Sequence, residues 1–139
     1  MSIDDIAADF AFLDEWEDRY RYIIELGRAL PALNPSEKNE ANKVRGCASQ
    51  VWLVSEKSAA SNDSGDPVFT FRGESDAHIV QGLIAILLAV YNGKRASEIL
   101  EIDTNGLFSR LGLDDHLTPQ RANGVRSMIA RIRDEAAAA

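Results

Sequence analysis

Cys47 is the only cysteine of the chain, and its neighbours are those of a presented group: Arg45 and Gly46 precede it, and Ala48, Ser49 and Gln50 follow. A structural cysteine packs as a small hydrophobe inside an apolar periodic segment and stays inert. Cys47 instead sits among small and polar residues. A nearby guanidinium favours the thiolate, the form that attacks sulfur, and a preceding glycine gives the backbone freedom to present it. On these residues alone, a reactive and an incidental Cys47 stand level. His78 and His116 are the two histidines, and either could act as base in a Cys–His hydrolase. His78, however, opens an apolar helical run and His116 lies in a loop before Thr118, so both read as ordinary helix-start and loop residues. One Cys and two distant His do not complete a four-ligand zinc site without carboxylates, so no metal is expected. The chain has no G-x-x-x-x-G-K-[ST], G-x-G-x-x-G or G-x-S-x-G, which removes support for phosphate-cradling loops and a serine nucleophile elbow.

The elements that must position Cys47 follow from periodicity. Trp16, Tyr20, Ile23, Gly27 and Leu30 share one helical face, giving a helix over about 14–30. A shorter helix over about 3–11 precedes it, with Ser2 as N-cap and Asp4 and Asp5 in its first turn. Pro31 and Asn34-Pro35 break the pattern. Lys43 to Cys47 reads as an extended piece running into a loop. Ser49 to Ser55 reads as a strand covered on both faces, with Val68 to Arg72 as its partner across a polar hairpin loop over 57–67. Ser75 or Asp76 is the expected cap of a central buried helix carrying Ile79, Leu83, Ile86, Leu87 and Val90, closed by Asn92-Gly93. Short helices over about 96–101 and 106–110 follow, the second closed by Gly112. Thr118-Pro119 then starts a terminal helix with Val125, Met128, Ile129 and Ile132 on one face and a fraying tail at 136–139. Gly82 and Gly124, inside helical patterns, read as sites of close helix packing. Strands and helices are segregated rather than alternating, so the class is α+β, a small antiparallel sheet beside a layer of helices, within a single domain spanning 1–139.

Composition bounds the function. The chain has 139 residues, 45% apolar and 27% charged, the profile of an ordinary globule. Seven acidic residues (Asp4, Asp5, Asp9, Asp14, Glu15, Glu17, Asp18) precede the first basic one, Arg19, and account for the net charge of -7. They read as a solvated helix face rather than a docking patch. Without a Lys/Arg cluster, nucleic acid is not an expected partner. The run from Ile79 to Tyr91 is well short of the roughly 20 residues that cross a bilayer, and no signal core is visible. A lone thiol then points to a reducing cytoplasm.

The stretch Asn42-Lys43-Val44-Arg45-Gly46-Cys47-Ala48-Ser49-Gln50-Val51-Trp52-Leu53 resembles the SufE family of cysteine desulfuration proteins. Gly73 to Ala77, Ile79 to Ala85, Tyr91 to Lys94, Leu111 to Leu113, His116 to Arg121 and Asn123-Gly124 look like that family's later blocks, in order. The resemblance implies the fold shared with U-type iron–sulfur scaffolds (the SufE/NifU-like fold). It also implies a carrier that stimulates a pyridoxal-phosphate-dependent cysteine desulfurase, takes its sulfane sulfur as a persulfide on Cys47, and supplies a downstream iron–sulfur scaffold or other acceptor. Such a carrier holds no cofactor of its own, works through a covalent intermediate rather than as an independent enzyme, and is expected as a monomer or weak homodimer. Arg45, Gly46, Ser49 and Gln50 then form the active loop, sheltered over an apolar rim such as Val51 and Leu53. Asp76 and Arg121 shape the surface near the cysteine or pair with each other; equally, Asp76 caps its helix and Arg121 anchors the preceding loop. Two departures stand out: Ala48 where many relatives carry glutamine, and a long 57–67 loop. The alternatives are a carrier in another sulfur pathway and an interaction module with an incidental cysteine. A cluster scaffold is disfavoured because one thiolate does not hold a cluster.

Overall fold

The computed structural model describes residues 2–47, 49–58, 66–113 and 116–138. Ala48 and the centre of the long hairpin loop, 59–65, lie outside the described residues, so the expectations that rest on them do too. The first helix, α1 (Ile3–Phe12), starts with a reciprocal cap, the Ser2 hydroxyl accepting from the Asp5 amide and the Asp5 carboxylate accepting from the Ser2 amide, each at 3.2 Å. The second, α2 (Trp16–Arg28), is shorter than its periodicity suggests. Arg19 explains the late start, since its guanidinium donates to the carbonyls of Leu13 (2.8 Å) and Phe10 (3.1 Å) and closes α1 instead.

Helix α3 (His78–Tyr91) is the centre of the core, with Ile79, Leu83, Ile84, Ile86, Leu87 and Tyr91 all buried. Each such side chain contributes about 1.5–3 kcal/mol relative to exposure. One face of α3 meets α2 through two glycines: a Cβ on Gly27 would lie 2.6 Å from the Gly82 nitrogen, and one on Gly82 would lie 2.1 Å from the Ile23 carbonyl. The other face meets the sheet, β1 (Val51–Lys57), β2 (Val68–Ser75) and β3 (Lys94–Arg95), in antiparallel order β1-β2-β3. The register pairs Leu53 with Gly73 and Trp52 with Glu74. Alternation therefore sends Val51, Leu53, Phe69 and Phe71 into the core and Trp52, Arg72 and Glu74 outward.

The outward face is covered as the sequence suggested, by a strap over 33–45 that includes a 3₁₀ turn at Pro35–Glu37. Arg72 holds Glu37 through two bonds, 2.8 and 2.5 Å, and keeps its carboxyl at about 2, far below the usual range. Glu74 accepts from the Leu33 amide (3.0 Å) and pairs with Lys38, whose ammonium lies 5.7 Å from the centre of the Trp52 ring.

The chain closes with α4 (Ala96–Glu101), α5 (Thr104–Arg110) and α6 (Pro119–Ala137). Helix α5 begins earlier than expected because Asp103 accepts from the Gly106 amide at 3.0 Å and acts as cap. Thr118 caps α6 as expected, its hydroxyl accepting from Arg121 N at 3.2 Å. Of the tail expected to fray over 136–139, Ala136 and Ala137 are still in α6, and Ala136 is buried in the core, while Ala139 lies outside the described residues. Among the described residues no helix is long and apolar enough to cross a membrane.

Candidate functional site

Cys47 stands at the tip of a tight connection between the end of the strap and β1. Val44 N donates to Val51 O (2.8 Å) and Leu53 N to Asn42 O (2.9 Å), with Lys43 bridged to Trp52, so 42–44 forms a short extra strand on the open edge of β1. The residues between Val44 and Val51 must then turn back. Gly46 makes the turn with φ of 90°, a left-handed conformation that strains any side chain, and a Cβ there would come within 2.5 Å of the Ser127 hydroxyl.

The turn lays Cys47 on α6. Its Sγ lies 3.6 Å from the Gly124 carbonyl, toward which the thiol donates. Gly124, Ser127 and Arg131 recur at helical spacing and meet Cys47, Gly46 and the leg at 41–43 in turn, so the loop runs along one stripe of α6. Beside the thiol is a cavity of about 230 Å³ with a polar side formed by Ser49, Thr118, Gln120 and Arg121 and an apolar side formed by Val80, Leu83 and Met128. Partial burial there pushes the Cys47 thiol above its ordinary value of 9.0, desolvation being the cause. Burial there favours the neutral thiol over the thiolate.

Several expected residues fall elsewhere. Arg45 does not line the cavity beside the thiol; it points into solvent and pairs with Glu40 at 3.4 Å, on the far side of the turn at Gly46. Val51 and Leu53 are not the rim, since strand alternation commits both to the core under α3. Asp76 caps no helix: Ala77 is the N-cap of α3, and the Asp76 carboxylate accepts from Gln50 N at 3.0 Å while Asp76 N donates back to Gln50 O at 3.3 Å. This fastens the outgoing leg of the loop, as Arg131 fastens the incoming one. Ser49 and Arg121 do line the cavity, but no ion pair joins Arg121 to Asp76 among the described residues. Gln50 contributes its backbone, its side chain being exposed. Gly82 makes the close helix contact expected of it, whereas Gly124 faces the thiol. His116 stacks on Trp16, ring centres 4.1 Å apart and 11° from parallel, and neither histidine lines the cavity. The described residues contain no group of three or more potential metal ligands.

Sequence reasoning missed Ser127 and Arg131. Their signal was present in the stripe of Gly124, Ser127 and Arg131 at spacings of three and four, but only the apolar face of that helix draws attention.

The comparisons with known proteins agree with this architecture. A family model described as "SufE: Fe-S metabolism associated domain" matches residues 4–136. An uncharacterised SufE-like protein of Rhizobium meliloti (strain 1021) is 61% identical over 135 residues, covering 97% of this chain and 94% of that one. A second, from Rhizobium etli, is 57% identical over 135 residues, covering 97% of this chain and 89% of its own. The solution structure of a hypothetical protein from Thermus thermophilus superposes with a TM-score of 0.74 over 99% of this chain and 96% of its own, at 18% identity, which shows a shared fold. A family match over nearly the whole length, with the motif thiol seated on the terminal helix of an α+β fold, means that this chain belongs to the SufE family.

Proposed function

We propose that this protein is a sulfur carrier: Cys47 accepts sulfane sulfur from a pyridoxal-phosphate-dependent cysteine desulfurase, the protein thereby stimulates that enzyme, and the sulfur passes on for iron–sulfur cluster assembly in a reducing cytoplasm. The observation that carries the reading is the seat of Cys47, the one thiol of the chain, at the tip of a loop fastened at both legs and resting over a cavity. A purely structural cysteine has no need of such a loop.

The chemistry is thiol exchange. On docking, the loop leaves α6, the thiol regains solvent and loses its proton, and the Cys47 thiolate attacks the terminal sulfur of the enzyme's persulfide. A new S–S bond forms at Cys47, the enzyme's S–S bond breaks, and the enzyme's cysteine departs as a thiolate, with no net electron transfer. A thiolate on the next protein repeats the step and releases Cys47. Burial between transfers keeps the thiol neutral, which slows oxidation to sulfenic acid and beyond.

The test is incubation with a desulfurase, pyridoxal phosphate and cysteine, followed by intact-mass measurement. Wild type gains about one sulfur mass, lost on treatment with a reductant, and Cys47→Ser gains none. Wild type that stays unloaded while the desulfurase remains persulfidated overturns the reading.

A further inference from the structure

The leg that leads into Cys47 has two edges. One is occupied, since Asn42 O and Val44 N bond to β1. By the alternation of a strand the carbonyls of Ala41 and Lys43 face the other way, toward α6. Arg131 meets both there, Nη2 donating to Ala41 O at 2.7 Å and Nη1 to Lys43 O at 3.3 Å. Its third edge is also engaged, Nε lying 3.3 Å from the Glu135 carboxylate. The side chain is 27% exposed, so these charge-assisted bonds are only partly screened by water. The planar fork of a guanidinium spans two carbonyls in a way that the point charge of an ammonium does not. The remaining contacts of the loop are a weak S–H bond to Gly124, the paired bonds between Gln50 and exposed Asp76, and the Gly46–Ser127 approach.

We propose that Arg131 is a positioning residue for sulfur transfer. It clamps the incoming leg to α6, so that Cys47 moves on a flap hinged at Arg45 and Gly46, beyond the fixed Val44, rather than on a loose strand. The hinge returns the thiol to its cavity after each excursion and limits the conformations that must be ordered when the loop enters a partner. The part of this inference that concerns transfer rests on the carrier reading; the part that concerns the resting thiol does not.

The test uses the full chain with Arg131→Met, which keeps the aliphatic stem and removes the donors, and Arg131→Lys, which keeps the charge without the fork. Alkylation of Cys47 by iodoacetamide is timed under native conditions beside a thermal melt. The Met variant is expected to alkylate about tenfold faster than wild type, as loss of charged hydrogen bonds predicts, and the Lys variant in between. With a desulfurase, half-maximal sulfur acceptance by the Met variant requires a higher carrier concentration while the maximal rate holds. Wild-type alkylation by a folded Met variant overturns the inference, as does a Lys variant indistinguishable from wild type in every reading. If the Met variant fails to fold, the Lys variant decides alone, slower return of the thiol showing as faster alkylation at an unchanged melting temperature. The alkylation arm contains no desulfurase, so a wild type that accepts no sulfur removes the carrier reading and leaves this result standing.

Discussion

Two glycines in two helices hold the molecule together in opposite ways. At Gly82, α3 meets α2 so closely that an added Cβ would overlap the Ile23 carbonyl at 2.1 Å and the Ile23 side chain at 2.5 Å. At Gly124, α6 meets Cys47 with room to spare: a Cβ there would sit 3.5 Å from Sγ, an ordinary contact, beside an open cavity. The rear of the protein is closed backbone against backbone, while the thiol rests on its helix through contacts that can be made and broken singly. A core must not move, and a loop that presents its thiol to a partner, as proposed, must, so tight packing and few replaceable bonds are each suited to their place.

The pair of alanine substitutions is the largest way to break this contrast. Gly82→Ala forces backbone apart and is expected to lower unfolding free energy by about 3 kcal/mol in a denaturant titration. Gly124→Ala, gaining helix propensity and meeting no overlap, should stay within about 1 kcal/mol of wild type. Equal losses in the two would mean that the thiol seat is as closed as the core.

A smaller effect sharpens the loop side. Asp76→Ala leaves Gln50 N without its acceptor and should raise the rate of Cys47 alkylation about threefold, with little change in global stability, because the lost bond is exposed. An unchanged alkylation rate would remove Asp76 from the fastening of the loop.

The smallest effect is in pH. The Cys47 thiol is raised by desolvation, so in the range above the ordinary value of 9.0 the folded chain holds a proton that the unfolded chain has released. Stability is therefore intact below that range and falls as pH rises through it, relative to Cys47→Ser, which has no such proton. Alkylation of the native protein should likewise reach its midpoint at higher pH than alkylation of the denatured chain. A native midpoint at or below the denatured one would mean that the seat does not desolvate the thiol.

Periodicity was enough for most of the elements, because burial imposes it on local sequence. Ile79, Leu83, Ile86, Leu87 and Val90 announce α3, and Thr118-Pro119 announces α6, from residues that are neighbours in the chain. The thiol's surroundings are assembled from afar, and there local reasoning failed in specific ways. Arg45 is two residues from Cys47 in sequence, yet the left-handed turn at Gly46 sends it to Glu40. Asp76 carries the composition of a helix cap, but a backbone amide from Gln50 competes for its carboxylate and wins. Arg131 acts on carbonyls roughly ninety positions away, a relation that no spacing rule encodes.

The strap over 33–45 has a consequence for variation. It ends in the thiol loop, but it is tied down on the outer face of β2, by Arg72 on Glu37 and by Glu74 on Leu33 and Lys38. Those two β2 residues look like ordinary surface charges, of the kind that drifts freely among relatives. Because the strap leads into the stem of the loop, the carrier function proposed for Cys47 would place these two residues under its selection as well, and their tolerance to exchange should then track the chemistry of a cysteine they never touch.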